Sequence, residues 1–249
     1  MASSLSSNKN TTTKKTLDRV ISRAGLGSRT DARRWIAEGR VCVNGRKVQT
    51  PDAWVDPQRD KMTLDGKPLR EQEKIYLLLY KPKGVLTTAK DPEGRPTIYD
   101  LIEHEKQWVV PVGRLDQDTT GLLILTNDTN LAEYVTNPDS HVAKTYLVKA
   151  SKLLSDAELE QLRSGLTLAD GPTRPALVTR QRDAAKYTFF EITITEGRNR
   201  QVRRMVEALG AKVLKLVRIR IGDISIGDLK IGTTRPLTKQ EVHSLRKSK

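Results

Sequence analysis

The stretch VGRLDQDTTGLLILT (Val112–Thr126) runs from the apolar end of one strand into a second, unbroken apolar strand. Between them lies a glycine-hinged loop that carries Arg114 and Asp116. Taken alone, an aspartate in such a loop is a turn or cap residue as readily as a nucleophile, and Arg114 is as readily a surface charge. Outward from it, strand-like runs recur at Ile75–Tyr80, Thr145–Lys149, Phe189–Thr195 and Val213–Ile221. Helical spacing marks Asn130–Thr136, Ser155–Ser164 and Arg200–Leu209. Strands and helices mix without a regular βαβ repeat, so residues 75–245 read as one α+β domain rather than a doubly wound sheet.

A separate small unit precedes it. Leu17, Val20, Ile21 and Ala24 form the apolar stripe of a short helix, broken by Gly25-Leu-Gly27. Ser28, with Asp31 three residues on, caps a second helix that buries Ala32, Trp35 and Ile36, exposes Arg29, Arg33 and Arg34, and stops at Gly39. Val41–Val43, Asn44-Gly45 and Lys47-Val48 then spell a type I′ hairpin. Residues 16–70 make up this unit, and Glu71–Lys74 is a polar linker. Residues 1–15, almost all Ser, Thr, Asn and Lys, read as a disordered tail.

The chain of 249 residues carries a formal net charge of +14. That surplus is concentrated. Ten basic and three acidic residues lie between Lys14 and Thr50, and eight basic and two acidic between Glu196 and Arg220. Two electropositive surfaces suit a phosphate backbone contacted at two places. Cys42 stands alone, which excludes an intrachain disulfide and fits a reducing, cytoplasmic setting. The longest apolar run, Ile75–Tyr80, falls far short of the roughly 20 residues of a membrane helix. His104, His141 and His243 are scattered, with no pair at metal-ligand spacing, so no metal is expected. Neither a phosphate-binding GxxxxGK[ST] loop nor a dinucleotide fingerprint is present, so no nucleotide cofactor is expected. Any catalysis must rest on carboxylate, tyrosine, lysine or arginine.

Leu17–Val48, LDRVISRAGLGSRTDARRWIAEGRVCVNGRKV, resembles the RNA-binding domain first described in ribosomal protein S4. The resemblance places Arg29, Arg33, Arg34 and Arg40 against RNA backbone. GRLDQDTTGLLILTND resembles the signature of pseudouridine synthases that modify ribosomal RNA, in the RsuA/RluB branch. YKPKGVLTT (Tyr80–Thr88), KTYLVKA (Lys144–Ala150) and EGRNRQVRRM (Glu196–Met205) match further segments of that family in order and spacing. The resemblance covers about Thr16 to Val242 and implies a mixed, mostly antiparallel sheet.

It also implies the chemistry: breakage of a uridine N-glycosidic bond, rotation of the base and reattachment through C5, with no cofactor. Asp116 would be the essential carboxylate, attacking the sugar or removing its C2′ proton. Tyr146 would stack on the uracil and assist proton removal at C5, although read alone it is a half-buried strand tyrosine. Arg203 would pair with Asp116, although read alone it is a phosphate contact like Arg198, Arg200 and Arg204. Arg114 would fill the space left by the flipped nucleotide and hold phosphate. The partner so implied is ribosomal RNA or a pre-ribosomal particle, bound by a cytoplasmic monomer with no membrane contact. DPEGRPTIYDL (Asp91–Leu101) and EGRNRQVRRM look more like the enzymes of large-subunit RNA than those of small-subunit RNA. The alternatives are the same reaction on small-subunit RNA, or a non-catalytic ribosome-assembly factor.

Overall fold

The computed structural model describes residues 14–70 and 73–247. The chain divides into two units, 1–73 and 74–249. The expected tail falls mostly on residues 1–13 and the expected linker partly on 71–72, both outside the described residues.

In the first unit the order is β1 (Lys15–Thr16), α1 (Leu17–Arg23), α2 (Arg29–Ala37), β2 (Val41–Val43), β3 (Arg46–Lys47), β4 (Trp54–Val55), β5 (Met62–Leu64) and β6 (Lys67–Pro68). Lys15, expected in the tail, instead pairs with Val55 across β1 and β4, so the ordered unit starts earlier than composition suggested. The cap on α2 forms as read: Ser28 Oγ accepts from the Asp31 N–H at 3.1 Å, and Asp31 Oδ2 accepts from the Ser28 N–H at 3.2 Å. Asn44 and Gly45 both take positive φ, as a type I′ turn requires. Sheet order is β3-β2-β5-β6. The core joins Leu17, Val20 and Ile21 of α1 to Ala32 and Ile36 of α2, with Val41, Val55 and Met62. Trp35, expected inside, is only half-buried: its ring lies against Gly27 on one side, and the Arg40 guanidinium stands 5.6 Å from the ring centroid.

The second unit contains β7 (Tyr76–Lys81), β8 (Val110–Pro111), β9 (Thr120–Thr126), α3 (Thr129–Thr136), β10 (Lys144–Ala150), α4 (Asp156–Ser164), β11 (Thr167–Leu168), β12 (Gly171–Pro172), β13 (Leu177–Ala184), β14 (Tyr187–Ile194), α5 (Gln201–Ala208), β15 (Val213–Ile221), β16 (Ile224–Ser225), β17 (Thr234–Pro236) and α6 (Lys239–Lys247). The main sheet has the order β13-β14-β10-β15-β9-β7-β17. Every neighbouring pair on this path is antiparallel except β15–β9. The α+β class with a mixed, mostly antiparallel sheet therefore stands.

Why β7 and β9 read as unbroken apolar runs is now plain, because both faces are covered. Leu78, Leu122 and Ile124 pack under Leu131 and Val135 of α3 and Leu245 of α6. On the other face Leu77, Leu79, Leu123 and Leu125 meet Val85, Ile98, Ile102, Val109 and Leu115. In the other half of the sheet, β14 alternates strictly, burying Phe190, Ile192 and Ile194 against Leu159 and Leu162 of α4 and Val202, Met205 and Val206 of α5.

The two halves meet at a single parallel junction with two register pairs, Thr120 with Val217 and Gly121 with Arg218. Gly121 has φ +117°, and a Cβ there would lie 2.5 Å from Arg218 N and closer still to the Arg218 carbonyl oxygen. Only glycine admits this approach.

Candidate active site

The loop carrying Asp116 springs from this junction. Leu115 is buried and anchors it; Thr87 Oγ1 donates to Leu115 O at 2.8 Å and accepts from the Leu115 N–H at 3.3 Å. The Gly84 N–H donates to Gln117 O at 2.8 Å, and Gln117 Nε2 donates back to Gly84 O at 3.2 Å. The Tyr80–Thr88 segment thus clamps the Asp116 loop, a reason for two distant stretches of sequence to go together. Beneath it Lys81, fully buried, donates to Thr119 O and Pro82 O, each at 3.0 Å. Burial pushes its ammonium down to a pKa of about 8, against the opposing pull of Asp116 and Asp118.

A cleft of about 270 Å³ opens above the loop. Its lining includes Arg114, Asp116, Lys144, Tyr146, Arg200 and Arg218. Asp116 and Tyr146 are both half-buried, and Tyr146 packs against two of the apolar clusters. Arg114 is exposed and has no hydrogen bond or ion pair among the described residues.

Arg203 does not pair with Asp116 as expected. From α5 its Nη2 reaches Asp118 Oδ2 and Asp118 O, both at 3.1 Å, and Thr119 Oγ1 at 3.3 Å, while Nη1 donates to Val213 O at 3.2 Å. The cause is positional: Arg203 is almost wholly buried on α5, and what it meets there is the loop backbone after Asp116. Burial also lowers its pKa. The arginine beside Asp116 is Arg200, with Nη1 3.8 Å from Asp116 Oδ2 and 3.3 Å from Asp118 Oδ1.

Arg198 and Arg204 are tied inward. Arg204 makes a two-pronged pair with Asp170 at 2.8 and 3.0 Å, and Arg198 donates to Gly171 O and Pro172 O. In the first unit Arg29, Arg33, Arg34 and Arg40 are exposed as read. Arg29 and Arg33 share buried Asp18, each at 2.8 Å. Arg34 meets Asp31 at 3.1 Å, and Arg40 meets Asp65 at 2.7 Å. Carboxylates thus fix these guanidinium groups in place while leaving them accessible.

Lys81, Asp118, Lys144 and Arg218 were missed. Two carried a usable signal: Lys144 stands two residues before Tyr146, which in a strand puts both on one face. Arg218 falls in the apolar run VLKLVRIRI, where a buried cation is out of pattern.

Among the described residues no cluster of His, Cys, Asp or Glu could hold a metal ion, and no helix is long and apolar enough to cross a membrane. A family model for RNA pseudouridylate synthase matches residues 75–208, and one for the S4 domain matches residues 15–58. Ribosomal large subunit pseudouridine synthase B of Bacillus subtilis is 40% identical over 92% of this chain and 95% of that protein. Its namesake in Yersinia pestis is 39% identical over 84% of this chain and 68% of that protein. A crystal structure of a pseudouridylate synthase superposes with a TM-score of 0.67 at 33% identity, covering 92% of this chain and 99% of that one.

Proposed function

The chain belongs to the RNA pseudouridylate synthase family, and from that premise we propose that it isomerises uridine to pseudouridine in large-subunit ribosomal RNA, with Asp116 as the essential carboxylate. What carries this reading is the convergence of Asp116 and Tyr146 in one cleft within the family-matched unit. Its large-subunit part rests on the names of relatives near 40% identity that align over most of the chain. The S4 domain captures RNA by phosphate contacts from Arg29, Arg33, Arg34 and Arg40.

The target nucleotide must leave its stack to reach the cleft, at a cost of about a few kcal/mol. Arg114, exposed and without an ion pair among the described residues, follows it and holds phosphate. Asp116 acts on the ribose, at C1′ or on the C2′ proton, and the C1′–N1 bond breaks. Arg200 holds the carboxylate's direction. Arg203 is a positioning residue, fixing the loop through Asp118 and Thr119. Tyr146 offers its ring to the base and its hydroxyl to the proton at C5. C5 then bonds to C1′, its proton leaves and N1 is protonated, so nothing is gained or lost overall and no cofactor is needed.

Asp116→Asn tests the reading. Ribosomal RNA binding should persist while pseudouridine formation disappears. Undiminished isomerisation by the variant overturns the role of Asp116. A non-catalytic assembly factor would show no isomerisation even with the unaltered protein. Mapping pseudouridines in both ribosomal RNAs, with and without the protein, decides between the subunits.

A further inference from the structure

Two cations in the cleft have no ion-pair partner among the described residues. Lys144 of β10 and Arg218 of β15 both line it and are 9% and 4% exposed. Lys144 Nζ donates to Val135 O at 3.1 Å, and Arg218 Nε to Leu122 O at 2.7 Å. Arg218 Nη2 is buried with no partner. Neither side chain forms an ion pair with a carboxylate among the described residues. The two charges act on each other: burial and the nearby Arg218 lower the pKa of Lys144 to about 8. Like charges buried together are unfavourable, since each loses its hydration and each repels the other. Such an arrangement has a use if an anion enters the cleft.

We infer that Lys144 and Arg218 form an anion subsite for the pyrimidine base itself, receiving the negative charge that develops on uracil as its glycosidic bond breaks. The inference rests on the synthase reading above. When C1′–N1 breaks, the electron pair stays with the base, whether Asp116 attacks C1′ or removes the C2′ proton. The charge spreads over N1, O2 and O4. The Lys144 ammonium and the Arg218 Nη2–H groups donate to the base oxygens. The charge is discharged when C5 bonds to C1′, C5 loses its proton and N1 gains one. A backbone phosphate is tethered to two riboses and stays at the mouth, whereas a flipped base reaches cations this deeply buried.

The test compares the full-length protein with its Arg218→Gln and Lys144→Gln variants on RNA carrying uridine or 5-fluorouridine at the target position. The readout is single-turnover cleavage of the C1′–N1 bond. Fluorine withdraws electrons and stabilises the base anion, so the fluorinated substrate needs the cations less. Each variant should cleave uridine about 10²–10³ times more slowly than the unaltered protein. The deficit on 5-fluorouridine should be at least about tenfold smaller, with RNA affinity and its salt dependence unchanged. Equal deficits on both substrates overturn the inference, as would weaker RNA binding with a salt slope reduced by about one, the mark of a phosphate contact. If Arg218→Gln fails to fold, the Lys144→Gln comparison decides alone, and an equal deficit there is again fatal. Failure of the unaltered protein to convert uridine is a different result and overturns the synthase reading itself.

Discussion

Gly121→Ala should split the second unit along its parallel junction. A Cβ at this position would stand 2.5 Å from Arg218 N, where ordinary contact begins at 3.4 Å, so β15 must retreat by about 1 Å. Only two register pairs hold that junction. Hydrogen bonds near 2.9 Å do not survive such a shift. The positive φ adds about 1–3 kcal/mol for a residue with a side chain. Each backbone hydrogen bond lost adds about 0.5–1.5 kcal/mol, and the Arg218 Nε donor, parted from Leu122 O, adds about 1–3 kcal/mol. A loss of about 4 kcal/mol is a large share of the 5–15 kcal/mol typical of a folded domain. At about 2–4 °C per kcal/mol, calorimetry of the full chain should show the unit melting about 10–15 °C lower. Gly210→Ala is the matched control: φ is +69° there, but nothing lies within 4 Å of the added carbon. A Gly121→Ala protein that melts within 2 °C or so of this control would refute the claim that close approach, rather than φ alone, demands glycine.

Asp18→Asn removes the buried charge shared by Arg29 and Arg33 and should weaken the first unit by about 2 kcal/mol, the half-exposed arginines regaining water in part. Faster amide hydrogen exchange in α1 and α2 is the measurement, and unchanged exchange contradicts it. Arg235 holds the Glu241 carboxyl down to a pKa of about 2 from its ordinary 4.5. The stabilisation is therefore complete above about 4.5 and fades as pH falls through 2. Glu241→Gln should be less stable than the unaltered protein at neutral pH, with the gap closing by pH 2; a pH-independent gap counts against the ion pair.

Much of this fold was legible because local and global signals agree. The Ser28–Asp31 cap, the Asn44-Gly45 turn and the β14 alternation each need only neighbouring residues to be read. The β13 edge strand, LVTRQRDA, escaped notice because neither of its faces is consistently apolar. Asp116 and Tyr146 could be named in advance, and both line one cleft. The partner of Arg203 could not. Asp116 and Asp118 are two residues apart in one loop, and which of them meets α5 depends on how Thr87 and Gly84 clamp that loop.

Position in the fold also separates the cations by task. Sequence places eight basic residues between Glu196 and Arg220, and their charge alone implies one role, attraction of RNA. The fold divides them. Arg198 and Arg204 are bound to the Asp170 turn, Arg203 to the loop backbone, and Arg200 to the carboxylates. Arg218 alone of these five is buried without a counter-ion, and its close companion Lys144 comes from outside the window. A long-range pull on phosphate needs charge at the surface, where salt screens it. Charge behind Asp116 contributes little to capture and acts on whatever enters the cleft, where low dielectric strengthens it. Net charge therefore identifies the polyanion, but burial decides which cations can take part in chemistry on a single base.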